Sequence, residues 1–370
     1  MTNYTDDIQC MLRPAGGGVH VVSTGVAEQQ ELQRQIYEAT DNTLIGEKWR
    51  EALAAIPTAQ IIVLGVPSDV GAGFTRGANR GPAEIRKTLF NDRSHPYHDK
   101  RVLDVGDVFV VPHVLEDALL SPSTRAEIHH ELYGSSAAAK EFPVSPLDIC
   151  SAVLERIHAL NPLARPIVIG GDHSVAWPAF KTLFESFSET EQKQVGLLHF
   201  DAHTDLLPHR LGVPHCFATW AYHANELFGR DGRLVQVGIR ASGKAREHWE
   251  STLQVRQYWA NEVQGRRAAD VASEIATHFR ARGVTTLYVS NDIDGTSEEF
   301  AAATGTPEPG GLHPDFVSEL TTRLCEEFRF VGGDLVEVAP PLAGSIDGEP
   351  EKTLSIASRY LADLMRAGLS

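Results

Sequence analysis

The sequence is poor in cysteine and has no long hydrophobic run. Its four cysteines are far apart and form no CxxC pair. This spacing excludes a zinc-ribbon site and gives no indication of a disulfide framework. No apolar stretch reaches the length of a membrane-spanning helix, and the first twenty residues, with Asp6 and Asp7, lack the apolar core of a secretory signal. We therefore expect a cytoplasmic protein without a membrane segment.

Positive charge is also scarce. The chain has 33 Lys and Arg residues against 49 Asp and Glu residues, a formal net charge of −16. Binding to a nucleic-acid backbone requires a basic surface, so we expect no nucleic-acid partner. A small cationic substrate is compatible with the acidic balance, which does not by itself require one.

Short apolar runs alternate with amphipathic stretches along the 370 residues. Runs rich in β-branched residues predict buried strands at 59–66, 165–171, 195–200, 233–239, 285–291 and 332–338. Helical spacing between them predicts helices at 147–160, 268–283 and 314–328. This alternation predicts an α/β fold, a three-layer α/β/α sandwich with a mainly parallel central sheet.

The first part of the chain differs from the rest. Residues 1–57 contain a "GGG" at 16–18 and a polar, helix-like stretch from about 27 to 56. Because the glycines do not follow a strand, we interpret them as a turn and not as a phosphate-binding loop. We predict that residues 1–57 are an N-terminal extension that wraps the domain or a neighbouring subunit, and that 58–370 carry the chemistry.

Metal-ligating side chains follow one of the predicted strands. In "HFDAHTD", residues 199–205, Asp201, His203 and Asp205 are two residues apart. Side chains of an extended segment alternate between faces, so these three converge on one side of the chain. An Asp after a strand more often caps a helix or forms a turn, which is the structural alternative for each such residue.

Two further clusters follow other predicted strands. Asp292 and Asp294 follow the strand at 285–291, and Asp172 and His173 follow the one at 165–171. Either cluster alone would be weak, since a single "DxD" or "DHS" is more often structural. Ligands bind at the carboxyl ends of parallel strands, and all three clusters lie at that edge. Helix capping does not explain this coincidence, so we predict a metal site.

The chemistry of the donors indicates the kind of metal. Four carboxylates and two imidazoles are present without a thiolate, which is too many ligands for one tetrahedral zinc ion. An oxygen-rich set favours Mn²⁺, with Co²⁺ or Ni²⁺ as alternatives. Two ions about 3.5–4 Å apart could share these ligands and a water molecule. Four carboxylates would offset the charge of two divalent cations.

Taken together, these segments resemble the ureohydrolase family, which includes arginase and agmatinase. The matching segments are "GGDHS" (170–174), "DAHTD" (201–205), "SNDID" (290–294), "GTPEPGGL" (305–312), "DLVEVAP" (334–340) and "GVPSDVGAGFTRGANRGPAEIRK" (65–87). They span about residues 59–368. The resemblance implies an arginase-like fold, a dinuclear metal centre and hydrolysis of a guanidino group to urea and an amine.

The resemblance also implies a role for individual residues. Six positions match the family's metal ligands: His173, Asp201, His203, Asp205, Asp292 and Asp294. Glu337 matches the carboxylate that holds the substrate guanidinium, and His215 matches a histidine that transfers protons. A water molecule activated by the metals would attack the guanidino carbon, and His215 or Asp205 would protonate the leaving nitrogen.

The chain departs from the family pattern at several positions. Ser297 replaces an aspartate of the usual "DxDxxDP", and Cys216 replaces a glycine after His215. The run that follows Cys216 is aromatic and has helical spacing. Core packing is the first interpretation of this run. In the alternative, some of its side chains, with Trp220 as the candidate, contact the substrate and narrow the pocket.

The substrate is predicted from a finer resemblance. The long extension, "SNDIDGT" and "CFATWAYHAN" are similar to the branch that includes guanidine hydrolases, which implies a small substrate and nickel in some members. We predict hydrolysis of guanidine to urea and ammonia, with two Mn²⁺ or Ni²⁺ ions per chain. The alternatives are alkylguanidines or biguanides of the metformin type, agmatine and guanidinobutyrate.

Proteins of other classes remain as alternatives. The chain could be a non-catalytic subunit of a mixed hexamer, although such a subunit need not retain the whole ligand set. A metal-dependent deacetylase has a related fold but uses one zinc ion, and a pure binding protein would show no turnover. The family resemblance further implies a homo-oligomer, either a trimer or a hexamer.

Overall fold

A nine-stranded sheet forms the centre of the residues that the computed structural model describes, which are 4–21, 23–134 and 141–370. The strands are β1 (Leu12–Arg13), β2 (Ile61–Val66), β3 (Val102–Val108), β4 (Arg165–Gly170), β5 (Val195–Phe200), β6 (Leu234–Ile239), β7 (Arg256–Trp259), β8 (Thr286–Asp292) and β9 (Arg329–Val336). Their order in the sheet is β1-β3-β2-β4-β9-β8-β5-β6-β7. Within these described ranges, β1 pairs antiparallel with β3 and every other pairing is parallel.

Fourteen α-helices accompany the sheet in the same ranges. They are α1 (Tyr4–Met11), α2 (Val26–Ile36), α3 (Asn42–Ala54), α4 (Gly81–Asn91), α5 (Pro122–Tyr133), α6 (Pro146–Leu160), α7 (Ala176–Ser186), α8 (Glu189–Gln192), α9 (Trp220–Leu227), α10 (Arg246–Leu253), α11 (Ala260–Val263), α12 (Ala268–Arg280), α13 (Pro314–Glu327) and α14 (Glu351–Leu369). Among them, none is long and apolar enough to cross a bilayer.

The two faces of the sheet are covered by different helices. Because side chains alternate along a strand, Ile61 and Val63 belong to a core that includes residues of α4, α12, α13 and α14, whereas Ile62 and Leu64 belong to one that includes residues of α1, α3 and α6. Helix α14 shows why these segments are helical, since its buried residues recur every three or four positions along its length. The predicted α/β/α sandwich with a mainly parallel sheet is therefore confirmed.

The six predicted strands and three predicted helices are present, and the polar stretch at 27–56 forms α2 and α3. The sequence prediction missed β1, β3 and β7. Strand β3 contains Asp104 and Asp107, which are unusual in a strand and here pair with the fully buried Arg86 on α4. Because these charged residues interrupt the apolar run, the apolar pattern of the sequence does not reveal the strand.

The N-terminal residues pack against the rest of the chain. Strand β1 adds to the edge of the sheet at β3, and α1 packs on α6. Trp49 of α3 is buried, and its indole Nε1 donates a hydrogen bond of 2.8 Å to the carbonyl oxygen of Val105. Residues of the predicted extension therefore cover the edge of the sheet at β3 and part of one face. Its separation from the remainder as a unit stays a prediction.

Candidate metal centre and active site

Four neighbouring strands, in the order β4-β9-β8-β5, direct the predicted site residues to one edge of the sheet. His173 follows β4, Asp201 follows β5, Asp292 ends β8 and Glu337 follows β9. The carboxyl ends of parallel strands lie together, so residues more than a hundred positions apart in the sequence meet there. The six predicted ligands form two groups that share Asp201.

The first group surrounds a ring nitrogen of His173. His173 Nδ1 lies 3.3 Å from Asp201 Oδ2 and 3.2 Å from Asp205 Oδ2. The same nitrogen lies 3.0 Å from Asp292 Oδ2. All four side chains are buried, and Nδ1 has no hydrogen-bond partner of normal geometry. One nitrogen and three carboxylate oxygens thus face a common point, as the ligands of a divalent cation do.

The second group lies beside the first and nearer to solvent. His203 Nδ1 is 3.1 Å from Asp294 Oδ2 and 3.4 Å from Asp201 Oδ1. Asp201 therefore presents one carboxylate oxygen to each group. The side chain of His203 is 28% exposed, whereas Asp201 and Asp294 are buried. The second group consequently lies on the side from which a substrate can enter.

Burial and neighbouring charges shift the pKa values of several carboxyl groups in the site. Burial raises the pKa of Asp292 well above its usual range, and the charges of Asp294 and Asp201 add to this effect. Burial and the charge of Asp201 also raise the pKa of Asp205. Burial opposes ionisation of Asp201 too, but the close approach of His173, His199 and His203 holds the pKa of its carboxyl well below the usual range. Several buried carboxylates in one site require cations to balance their negative charge.

Hydrogen bonds on the far side of the His173 ring determine which of its two nitrogens is unprotonated. Its Nε2 lies 3.1 Å from Ser290 Oγ, which in turn donates a hydrogen bond of 2.7 Å to Asp334 Oδ1. Tyr288 donates to the other oxygen of Asp334 at 2.7 Å. Because the hydroxyl hydrogen of Ser290 is used on Asp334, its oxygen accepts from His173 Nε2–H. A neutral His173 therefore has an unprotonated Nδ1, as metal coordination requires.

A second chain of hydrogen bonds supports Asp201. His199 Nε2 lies 2.8 Å from Asp201 Oδ2, and its Nδ1 lies 2.9 Å from the side-chain amide nitrogen of Gln236. The amide nitrogen can only donate, so His199 Nδ1 accepts and His199 donates its Nε2–H to Asp201. Gln257 donates to the side-chain oxygen of Gln236 at 2.8 Å and accepts from Trp259 at 3.0 Å. These contacts fix the orientation of a carboxylate that both groups share.

The residues present fit two divalent cations. The donors are carboxylate oxygens and imidazole nitrogens, the buried Nδ1 of His173 has no other partner, and Asp201 lies between the two groups. A fold of this kind without cations would leave an uncompensated cluster of buried negative charge.

Glu337 lies next to the first group. Its Oε1 accepts a hydrogen bond of 2.8 Å from the backbone N–H of His173, and its own N–H donates at 2.8 Å to the carbonyl oxygen of Gly171. The side chain is buried, and burial together with the charge of Asp172 raises the pKa of Glu337 well above its usual range. One carboxylate oxygen is thus anchored, which fixes the direction of the other.

Two of the candidate residues have a left-handed backbone. Asp205 has φ +51° and Glu337 has φ +63°. For residues other than glycine this conformation costs about 1–2 kcal/mol. Both residues carry a carboxylate of the candidate site, and backbone strain of this kind clusters at functional sites.

His215, the predicted proton-transfer residue, has defined neighbours. Its Nδ1 is 2.8 Å from Glu116 Oε2, and its ring stacks on Trp177 at a centroid distance of 5.2 Å. His223 meets the same ring edge-on at 4.8 Å. The side chain of His215 is 25% exposed, so a substrate and solvent can reach it.

Trp220 does not lie where a substrate could touch it. Its side chain has no exposed surface, and its Nε1 donates a hydrogen bond of 3.1 Å to Asp205 Oδ2. Its ring lies 4.7 Å from that of His173 and 4.9 Å from that of His199. The structure therefore favours the packing alternative: Trp220 supports the ligands from behind, and the substrate contact predicted from the sequence does not fit its burial.

Arg240 connects the loops that carry the second group. Its guanidinium donates to the carbonyl oxygen of Asp294 at 2.6 Å and to that of Glu308 at 2.8 Å. It also lies within 3.3 Å of the carbonyl oxygens of Gly295 and Pro309. A single half-buried cation thus joins the ligand loop after β8 to the "GTPEPGG" loop.

One departure from the family pattern, Ser297, follows a residue of this connection, since Arg240 also donates to the carbonyl oxygen of Thr296 at 3.2 Å. The hydroxyl of Thr306 in that loop donates to Asp294 Oδ2 at 3.1 Å. Ser297 is buried and its N–H donates to the carbonyl oxygen of Leu312 at 2.9 Å, so it contributes to loop structure. Cys216 is also buried, and burial raises the pKa of its thiol. It therefore remains a neutral thiol at neutral pH.

Several site residues were missed by the sequence prediction. His199 precedes Asp201 by two positions and so shares its face, a signal that the same alternation could have supplied. Ser290, Asp334 and Glu116 belong to no metal-ligand pattern. Only the packing of separate strands and loops brings them to the site.

Comparison with known proteins agrees with this geometry. The sequence model of the arginase family matches residues 59–366. Over 75% of the chain, it is 29% identical to a guanidinobutyrase of Pseudomonas aeruginosa, of which the match covers 78%. It is 30% identical to the mitochondrial agmatinase of Gallus gallus, over 75% of this chain and 73% of that protein.

Solved structures show the same fold. An agmatine ureohydrolase of Thermoplasma volcanium matches with a TM-score of 0.62 at 24% identity, covering 85% of this chain and 91% of that one. An arginase of Bacillus caldovelox matches with a TM-score of 0.61 at 21% identity, covering 82% and 97%. The chain therefore belongs to the arginase family of ureohydrolases, hydrolases of carbon–nitrogen bonds in amidino and guanidino compounds that depend on a dinuclear metal centre.

Proposed function

We propose that this chain hydrolyses guanidine to urea and ammonia with two divalent ions at the two ligand groups. The observation that carries the proposal is the position of Glu337. Its carboxylate lies beside the shared metal site with one oxygen anchored on His173 N–H at 2.8 Å. A buried carboxylate at that position matches a planar cation.

The metal ions supply one part of the chemistry. When bound, two divalent cations would lower the pKa of a water molecule to give the nucleophile, and they would stabilise negative charge on its oxygen. His173, Asp201, Asp205, Asp292, His203 and Asp294 would hold them. The oxygen-rich set favours Mn²⁺ or Ni²⁺ over zinc.

Glu337 has the role of orienting the substrate. Its second oxygen can accept hydrogen bonds from two N–H groups of a guanidinium ion, which turns the carbon towards the ligand groups. Removal of water from this buried position strengthens the interaction.

We assign the proton-transfer steps to His215 and Asp205. The reaction converts a guanidinium ion and one water molecule into urea and an ammonium ion, so the leaving nitrogen must gain a proton from the attacking water. Asp205 lies in the first ligand group, where its carboxylate can take that proton. His215 lies at the more exposed side and can pass a proton to the leaving nitrogen.

Aromatic rings beside the site support a compact substrate. Trp177 stacks on His215, His223 meets both rings at an angle, and Phe217 packs against Gly73 of the loop that follows β2. Arg240 directs its N–H groups at main-chain carbonyls and is not free to bind a substrate carboxylate. Guanidinobutyrate and arginine, which carry a carboxylate, therefore fit less well.

Agmatine is the second candidate because of the acidic groups at the mouth of the site. Glu308 Oε1 lies 3.7 Å from His203 Nε2, and its side chain is 37% exposed. A carboxylate at this position could pair with the distal amine of agmatine. Substituted guanidines and biguanides of the metformin type share the same reacting group.

A urea-release screen tests the proposal. Purified protein loaded with Mn²⁺ or Ni²⁺ is assayed against guanidine, methylguanidine, metformin, agmatine, guanidinobutyrate and arginine. We expect the highest kcat/KM with guanidine. Fast hydrolysis of agmatine with no reaction of guanidine would overturn the substrate assignment but not the hydrolase. Absence of turnover in a protein with two bound metals would support a non-catalytic subunit.

The assembly and the compartment remain part of the proposal. We expect a homo-oligomer, a trimer or a hexamer, in the cytoplasm, and light scattering coupled to size-exclusion chromatography measures its mass. A monomeric mass for the active protein would contradict the expectation.

A further inference from the structure

We propose that Glu116 is a positioning residue for catalysis, acting through His215. The proposal rests on the hydrolase function proposed above, in which His215 transfers a proton. Glu116 lies in the connection between β3 and α5, about a hundred residues before His215, and belongs to none of the family motifs. Its Oε2 is 2.8 Å from His215 Nδ1, and the residue is 7% exposed.

The backbone that carries Glu116 is held in place by its neighbour. Asp117 accepts hydrogen bonds from the N–H groups of Val144 and Ser145 at 3.1 and 2.9 Å. Arg125 donates to the other oxygen of Asp117 at 2.8 Å. A carboxylate on a loop fixed in this way can hold its partner at a defined distance and angle.

The ring of His215 is confined as well. Trp177 stacks on it with an interplanar angle of 21°, and His223 closes the adjoining side. His223 is itself fixed, since its Nε2 lies 2.9 Å from the carbonyl oxygen of Pro214. Rotation of the His215 ring would require both the stack and the hydrogen bond with Glu116 to break.

The hydrogen bond determines which nitrogen does the chemistry. An ionised carboxylate only accepts, so Nδ1 of His215 carries a hydrogen and Nε2 is the nitrogen that gains and loses a proton. Without Glu116 the neutral ring can adopt the other tautomer, which carries its hydrogen on Nε2. In that form Nε2 has no lone pair with which to accept a proton.

A double-mutant cycle tests this coupling. In protein loaded with two metals, Glu116→Gln keeps the size of the side chain but removes the charge and the fixed tautomer. We expect kcat to fall by about 10- to 100-fold, part of the ~10²–10⁴-fold that general acid–base catalysis supplies, with little change in KM. Glu116→Asp, which retains the carboxylate, should recover part of the loss.

The decisive comparison is with His215→Asn. If Glu116 acts through His215, Glu116→Gln should cause no further loss in the His215→Asn background. Asp315→Asn is the matched control, because Asp315 also lies beside a histidine, at 3.6 Å from His313, but is exposed on α13. Its kcat should equal that of the wild type. Multiplicative losses in the double variant, or an unchanged kcat in Glu116→Gln, would overturn the proposal.

A structural measurement separates this claim from the proposed activity. Crystal structures of the wild type and of Glu116→Ala report the His215 ring whether or not any guanidino compound is hydrolysed. We expect the ring to remain against Trp177 in the wild type and to turn or become disordered in the variant. An unmoved ring in Glu116→Ala would refute the positioning role even if urea release is observed.

Discussion

At the scale of single residues, the candidate site depends on where carboxylates and imidazoles leave the sheet. Spacing alone predicted that Asp201, His203 and Asp205 share a face, and the structure brings these side chains to one site. The sequence could not identify Glu116, because only tertiary packing places it next to His215. Helical spacing also could not show whether Trp220 on α9 faces the core or the substrate. The complete burial of its side chain shows that it faces the core.

Replacement of Asp292 tests the ligand group directly. Asp292→Asn keeps the shape of the side chain but removes a negative charge that lies 3.0 Å from His173 Nδ1. We expect urea release to fall by more than about 100-fold, because changes even to groups behind metal ligands cost about 10–100-fold. Metal content, measured by elemental analysis, should fall with it.

The same variant should be more stable than the wild type when both are free of metal. Burial raises the pKa of Asp292 well above its ordinary value, so ionisation at neutral pH destabilises the folded state and the amide removes this effect. Asp270→Asn, at an exposed ion pair, is the control and should change neither property. Full metal loading with full activity in Asp292→Asn would contradict the ligand assignment.

At the scale of secondary-structure elements, a row of polar residues runs across the sheet, with one residue on each of five neighbouring strands. Pairing places Gln257, Gln236, His199, Ser290 and Asp334 side by side on β7, β6, β5, β8 and β9. All five are buried, and hydrogen bonds from this row reach Asp201 and His173. The apolar pattern predicted β5, β6, β8 and β9, but it could not show that their polar residues align, because register depends on strand order.

Arg240 offers a test of the connection between two loops. Arg240→Lys keeps the charge but loses the planar fork that reaches the carbonyl oxygens of Asp294 and Glu308 together. We expect the second ligand group to loosen, so that bound metal falls from about two ions per chain towards about one, with a loss of activity of about 10–100-fold. Titration calorimetry and elemental analysis measure this change.

The control for that variant is Arg267→Lys, at an arginine whose side chain is 77% exposed and pairs with Asp270. It should bind both ions as the wild type does. If Arg240→Lys also binds two ions with unchanged affinity, the connection between the loops does not position the ligands.

At the scale of the whole molecule, buried titratable groups link stability to pH. His95 lies in the connection between α4 and β3, with Nδ1 accepting from the N–H of Tyr97 at 3.0 Å and Nε2–H donating to the carbonyl oxygen of Ser358 at 2.9 Å. This arrangement requires a neutral ring, since a proton on Nδ1 would face the N–H of Tyr97. Burial accordingly lowers the pKa of His95 below its ordinary value of 6.5.

The sign of the pH effect follows from this shift. Below about pH 6.5 the unfolded chain binds a proton at His95 before the folded chain does, so the folded state loses stability as the pH falls. The loss ends once the pH is below the lowered folded pKa. We expect the free energy of unfolding of the wild type to fall more steeply between pH 7 and pH 5 than that of His95→Gln.

Chemical denaturation at a series of pH values measures the difference in slope. His248→Gln, at an exposed histidine, is the control and should have the slope of the wild type. Equal slopes for His95→Gln and the wild type would show that His95 does not couple folding to pH.

The central claim is that three strand ends hold two divalent cations in one site. Anomalous X-ray diffraction at the metal absorption edge, from crystals of the active Mn²⁺- or Ni²⁺-loaded protein, tests it most directly. We predict two anomalous peaks, one among His173, Asp201, Asp205 and Asp292 and the other among Asp201, His203 and Asp294. An active protein without a peak at these residues would contradict the account.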